Sequence, residues 1–178
     1  MTDLNELAPN ILASKTSSLV ITQTVIDDLK HRASASPLKR ARILAHGDPQ
    51  APLHEMLIVQ TKAVYVRPHR HHGKSESLHV IDGSAKIVYF DDVGNIEETL
   101  DVGPSNSNDP FFLRTDSPRW HMQIVLTPYF VFHEVTNGPF RREDTEFAPW
   151  APDENDAPTV EAYLSGLSVR LGVASPTS

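Results

Sequence analysis

Residues 65–83 read YVRPHRHHGKSESLHVIDG, from Tyr65 to Gly83. Three of the chain's nine histidines fall between positions 69 and 72, a glutamate follows at 76, and Asp82-Gly83 closes the stretch with a turn signal. In an extended segment alternate side chains share a face, so Tyr65, Arg67, His69 and His71 are expected on one side, with Pro68 as the point where the alternation can break. Two imidazoles one residue apart on one strand make a good pair of metal ligands. Glu76 lies beyond the turn His72-Gly73-Lys74-Ser75 and opens the next strand with a carboxylate that can return to the same ion.

Working outward, residues 42–136 are runs of β-prone residues divided by turn formers. The runs are RILAH, HEMLIVQ, KAVYV, SLHVI, AKIVYF, IEETLDV, FFLRT, WHMQIVL and YFVFHEV. Segments such as Gly47-Asp48-Pro49, Asp82-Gly83-Ser84 and Gly103-Pro104-Ser105-Asn106 are suited to turns. Strands this short and closely spaced predict an all-β closed barrel or jelly-roll sandwich.

Helical spacing occurs at both ends. Val25, Ile26 and Leu29 predict a short helix capped by Thr24, with Asp27 and Asp28 near its positive end and Ser36-Pro37 after it. Val160, Tyr163, Leu164 and Leu167 predict a terminal helix packed on the barrel. The expected organisation is a loosely ordered arm over 1–17, a barrel with its preceding helix over 18–140, and an extension over 141–178. The proline-rich EDTEFAPWAPDENDAP is expected outside the core, and the tail ASPTS to fray.

Composition narrows the function. With 16 Lys and Arg against 23 Asp and Glu, the formal charge is -7, which argues against nucleic acid; Lys39-Arg40-Ala41-Arg42 reads as a solvated surface patch. There is no cysteine, so a metal must be held by nitrogen and oxygen ligands. No apolar run approaches the roughly 20 residues that span a bilayer, and no leader pattern opens the chain, so the expected location is cytoplasmic, away from membranes. The segment around Val20 is a candidate for strand exchange in a homodimer.

The expected metal ligands are His69, His71, Glu76 and, within the strand WHMQIVL, His121. Imidazole and carboxylate suit one divalent transition ion: Fe, Mn, Ni, Zn or Cu. Gln123 shares the face of His121 and is expected to orient a ligand or water. Tyr65 is a candidate acid or base, and Arg67 a candidate fork for carboxylate or phosphate. His72 belongs to the turn, His79 and His133 read as packed or hydrogen-bonded, and Trp120 is expected to face away from the ion.

The spacing from His69 through His71 and Glu76 to Gly83 resembles the first motif of the cupin superfamily, and His121 falls where the second motif supplies a histidine. The resemblance implies a double-stranded β-helix barrel holding a metal on three histidines and one glutamate. Ala63 stands where that motif opens with glycine, SPRWH lacks the second motif's glycine, and Val125 replaces its asparagine. YVRPHRH, FDDVGNI, Trp120-His121, FHEVTNGPF and DTEFAPWAPDE look like the WbuC family of cupin-fold metalloproteins, although HHGKSE is a shorter loop than is usual there. That family's members among O-antigen polysaccharide genes imply an association with carbohydrate metabolism.

Four ligands on an ion that accepts six leave two places for water or a small molecule. The expected function is a metal-dependent enzyme acting on a small polar metabolite, a sugar derivative or a carboxylate, by oxygenase or isomerase/lyase chemistry. The alternatives are a non-catalytic saccharide-binding or regulatory module and a structural barrel stiffened by its ion.

Overall fold

The strands form two sheets, and the chain passes repeatedly from one to the other. The computed structural model describes residues 3–174, so the tail beyond Ala174, expected to fray, lies outside the described residues. One sheet has the order β1(Leu4–Ala8), β2(Ile11–Ser14), β3(Arg40–Leu44), β4(Leu53–Thr61), β11(Tyr129–Asn137), β6(Glu76–Asp82), β9(Phe112–Thr115). The other has the order β12(Thr145–Phe147), β5(His69–His71), β10(Trp120–Val125), β7(Ala85–Phe90), β8(Ile96–Val102). From β4 to β12 the strands shuttle between the sheets, with β7 and β8 the one consecutive pair in the same sheet. This winding makes the all-β jelly-roll barrel that the sequence predicted.

The faces follow from alternation. Leu78 and Val80, Phe130 and Phe132, Ile87 and Tyr89, and Val125 all turn inward to one cluster between the sheets. On the outside of the first sheet, Ala41, Ile43, Leu57, Val59 and Val131 pack against α1(Gln23–Ala35) through Ile26, Leu29 and Ala33. Leu29 is fully buried, a contribution of about 1.5–3 kcal/mol. Helix α1 also joins β2 to β3, which run parallel and so need a crossover. On the outside of the second sheet, Val88, Phe90, Trp120, Met122 and Ile124 pack against Leu164 and Leu167 of α2(Ala157–Leu171). Asp156 caps α2 by accepting from the Thr159 N–H, and Gly172 ends it in the left-handed region.

Gly83 turns β6 into β7 at φ 77°, and a Cβ there would run into the carbonyl of Tyr129, so the turn needs glycine. No described helix is long and apolar enough to cross a membrane.

Several expectations change. The N-terminal segment is not a loose arm: β1 and β2 form a hairpin that extends the first sheet through β3. Helix α1 starts earlier than expected, with Thr22 at its N-cap accepting the Val25 and Ile26 N–H groups through its carbonyl, so Thr24 lies inside it. KAVYV is an irregular connection, and the proline-rich tract contributes β12 to the second sheet.

Candidate metal centre

β5 carries His69 and His71, and its ladder to β10 is a single pair, His69 opposite His121. The other edge of β5 is held by β12, with Thr145 opposite His71 and Phe147 opposite His69. On the outward side Arg70 secures the strand: its Nε donates to Glu146 Oε2 at 2.7 Å, and its guanidinium stacks 4.2 Å from the Trp120 ring centroid. From the facing sheet, Glu76 projects inward opposite Thr136 and Thr115.

These elements bring together all four of the residues expected to bind metal. Donor atoms of His69, His71 and His121 lie within 4.8 Å of one another. Glu76 Oε2 is 3.5 Å from His71 Nε2 and 3.5 Å from His121 Nε2. Two donors each about 2.1 Å from one ion stand roughly 3–4 Å apart, so the group needs little contraction to share a cation.

The far side of each ring supports the same fit. His69 Nδ1 lies 2.9 Å from the Arg67 carbonyl, and His121 Nδ1 lies 2.9 Å from the Arg119 carbonyl. A carbonyl only accepts, so both Nδ1 atoms carry hydrogen, and a neutral ring then presents a bare lone pair at Nε2. His71 Nδ1 meets the Thr145 hydroxyl at 3.1 Å. Lone pairs converging with a carboxylate repel one another unless a cation or proton lies between them. The residues present therefore fit a divalent ion.

The titration behaviour agrees. Burial, then the charge of His121, lowers the His69 pKa to about 3, and burial also lowers that of His71. For His121 burial acts downward, but the hydrogen bond and charge of Glu76 outweigh it and the pKa rises. Burial likewise opposes ionisation of Glu76, yet His121 and its other partners hold its carboxyl well below the ordinary range. Without an ion, the Glu76 carboxylate favours the protonated form of the His121 ring.

Sequence reasoning did not single out Glu134. It lies on β11 two residues from Thr136, facing inward, close enough for its carboxyl and that of Glu76 to shift each other's titration. Burial first, and then the Glu76 charge, raises its pKa well above the carboxylate norm. A carboxyl on the inward face of YFVFHEV was a signal within reach, because its parity matches Phe130 and Phe132. Thr145 and Phe147 were also missed, because their strand is held by pairing with β5.

Tyr65 and Arg67 are not brought to the histidines. Val64 and Val66 pack inward, which turns their neighbours outward, and buried Pro68 then slips the alternation by one before His69. The Tyr65 hydroxyl donates to the Pro152 carbonyl at 2.9 Å within the outer cluster. The Arg67 guanidinium donates to the Ala148 carbonyl at 2.8 Å, so it is the main-chain carbonyl of Arg67 that serves the site. Trp120 faces outward as expected. His72 binds Glu146 at 2.8 Å, while His79 is exposed, with its ring 5.7 Å from that of Phe111.

Gln123 lies beneath His121, and its Oε1 is buried without a hydrogen-bond partner among the described residues. It lines a cavity of about 20 Å³ with Glu76, Tyr89, Thr115 and His121, enough for one water. Across that space the Tyr89 and Thr115 hydroxyls are 3.2 Å apart. A larger recess of about 360 Å³ opens elsewhere, beside Lys86, Asp101 and Val173, and contains none of the expected site residues. Donor convergence, not size, singles out the candidate site.

The family model that matches is a domain of unknown function, DUF6016, over residues 21–102, less than half of the chain. No curated protein matches the chain in sequence. Similar solved structures include a cupin-superfamily sugar phosphate isomerase from Silicibacter pomeroyi, at 13% identity over 56% of this chain and 59% of that one, TM-score 0.45. A variant of Bacillus subtilis oxalate decarboxylase matches at 17% identity over 76% and 33%, TM-score 0.47. Recombinant oxalate oxidase in complex with glycolate matches at 12% identity over 65% and 58%, TM-score 0.49. The chain spans less than two thirds of each of those proteins.

Proposed function

We propose that this is a WbuC-like cupin metalloprotein, a metal-dependent enzyme acting on a small polar metabolite, a sugar derivative or a carboxylate. The observation that carries the reading is the convergence of His69, His71, His121 and Glu76, with the Nδ1 atoms of His69 and His121 anchored on main-chain carbonyls. His69, His71 and His121 would each offer Nε2 and Glu76 an oxygen to one ion of Fe, Mn, Ni, Zn or Cu. When bound, such an ion polarises a carbonyl or hydroxyl, lowers the pKa of a bound water or, if it is iron, supports oxygen chemistry.

The chain's own residues do the rest. The Arg67 and Arg119 carbonyls and the Thr145 hydroxyl fix the three rings. Glu134 holds a carboxyl against Glu76 from within the barrel. The Phe147 ring lies 6.1 Å from that of His69 and borders that flank. Barrel residues 18–140 would thus carry the ligands, while Thr145 and Phe147, from the extension over 141–178, supply the rim. Isomerase/lyase and oxygenase chemistry both suit this arrangement. A homodimer located in the cytoplasm is the assembly and setting we assign to it.

Protein prepared without chelator is expected to hold close to one transition ion per chain by elemental analysis, and His121→Ala to lose it while staying folded. Wild-type protein that takes up no metal on reconstitution would refute the reading.

A further inference from the structure

The chain leaves the first sheet at the end of β11 and reaches the second through residues 139–147, which pass beside the histidines of β5. Both ends of this segment are fixed. Before it, a Cβ on Gly138 would run into the Ala51 carbonyl and the His54 ring, and the Gly138 N–H donates to the Pro52 carbonyl at 2.9 Å. After it, Ala148 is fully buried and its N–H donates to the Pro68 carbonyl at 2.8 Å. Between these anchors every residue from 139 to 147 keeps accessible surface, and Phe140, Arg141 and Phe147 are exposed.

What holds the segment down is polar. Lys74 Nζ reaches Asp144 Oδ2 at 3.1 Å and the Pro139 carbonyl at 3.0 Å, and the His72 N–H donates to the Asp144 carbonyl at 2.8 Å. Glu146 Oε2 lies 2.7 Å from Arg70 Nε and 2.8 Å from His72 Nε2. Partly exposed ion pairs contribute little each, and a segment without buried apolar side chains opens locally at a lower cost than the fold as a whole. β5 depends on it, because β10 meets β5 at His69, whereas His71 stands opposite Thr145 and shares a 3.1 Å contact with its hydroxyl. Opening the segment therefore frees the edge of β5 and the His71 ring together, while His69 keeps its place beside His121 and Glu76 stays on the facing sheet.

We infer that residues 139–147 are a strap that opens to admit and release the metal ion, with Glu146 and Lys74 as its latches. This rests on the metal reading above and adds its regulation: the four donors set how tightly an ion is held, and the strap sets how fast it is exchanged. The latches bind Arg70, His72, Asp144 and the Pro139 carbonyl rather than the ion, so they are made equally in filled and empty protein. Weakening one therefore raises uptake and release by the same factor.

The test uses full-length wild-type, Glu146→Ala and Lys74→Met proteins. Co(II) uptake is followed by stopped-flow absorbance, release by transfer to excess EDTA, and opening by hydrogen exchange of the amides from 139 to 148. In each variant uptake and release are both expected to be about 3- to 10-fold faster, with the dissociation constant changed less than about twofold. Hydrogen exchange of the segment is expected to accelerate by a similar factor. The two variants loosen different points of the strap, so if one fails to fold the other decides. Faster release with unchanged uptake would make Glu146 and Lys74 props of a fixed wall and overturn the strap, as would wild-type rates in both variants. Failure of the wild type to take up cobalt would instead refute the centre, and the strap's role with it.

Discussion

The same strands line two unlike ends of one barrel. On β6 the inward residues run Glu76, Leu78, Val80; on β10 they run His121, Gln123, Val125; on β11 they run Thr136, Glu134, Phe132, Phe130. Within four to six residues each strand passes from titratable or hydroxyl side chains to apolar ones. At the apolar end Ala85, Val102 and Phe130 have no exposed surface. At the polar end Glu76 keeps 18% of its side chain accessible and His121 keeps 14%. Cohesion is concentrated at one end of the axis and chemistry at the other, so substitutions at the two ends should fail in different ways.

The largest effect expected is at the apolar end. Phe132 is 1% exposed, with its ring 4.9 Å from that of Phe130. Phe132→Ala should cost about 3–5 kcal/mol in denaturant unfolding, the transfer cost of the ring plus that of the cavity it leaves. The fraction that folds should still bind metal like wild type. A Phe132→Ala protein of normal stability, or one that folds but has lost its metal, would show the two ends to be one cooperative unit.

The next effect sharpens the comparison through pH, because the inner apolar cluster has no group that titrates between pH 4 and 8. In metal-free protein His69 titrates at about 3, against the ordinary value of 6.5 expected on unfolding. The native chain therefore binds fewer protons than the unfolded one between these values. The contribution of His69 is complete above pH 6.5 and is lost as pH falls towards about 3. His71 acts in the same direction, as does Glu76, whose depressed pKa protects the fold above the carboxylate range and is lost in acid. His121 has the opposite sign: its contribution is complete below 6.5 and is lost as pH rises through its elevated value. Glu134, whose carboxyl burial holds well above the ordinary range, shares the sign of His121, so the prediction is carried by a difference: between pH 7 and 4 the melting temperature of chelator-treated His69→Gln protein should fall less than that of the wild type. Identical profiles for the two proteins would contradict the geometry of the histidine cluster.

How much of this was readable from sequence differs between the two ends and for a physical reason. The strands of the apolar end announce themselves, since AKIVYF and YFVFHEV are β-prone runs bounded by turn formers. The convergence of the four expected residues was readable too, because His69 and His71 alternate locally and Glu76 opens the following strand. What was hidden depends on partners distant in sequence. LNELA and ILAS become strands by pairing with each other and with β3, and TEF does so by lying against β5. Tyr65 was misplaced because one buried proline shifts the parity. The inward direction of Glu134 was readable from its parity with Phe130 and Phe132, but its neighbour was not, because the pairing of β11 with β6 decides that it meets Glu76.

The smallest effect expected is at Gln123, where the two ends meet. Neither nitrogen of the His121 ring is available to it, because Nδ1 is taken by the Arg119 carbonyl and Nε2 is directed at Glu76. Among the described residues the amide oxygen has no partner, and the cavity beside it, about 20 Å³, accommodates a single water. Gln123→Met keeps the volume and removes both that acceptor and its need for a partner, so unfolding free energy should change by less than about 1.5 kcal/mol. Metal content should not change, because the rings are held by Arg67, Thr145 and Arg119. Loss of metal in Gln123→Met would mean that the amide orients the centre after all, and that the boundary between the two ends lies one residue pair deeper, between Gln123 and Val125.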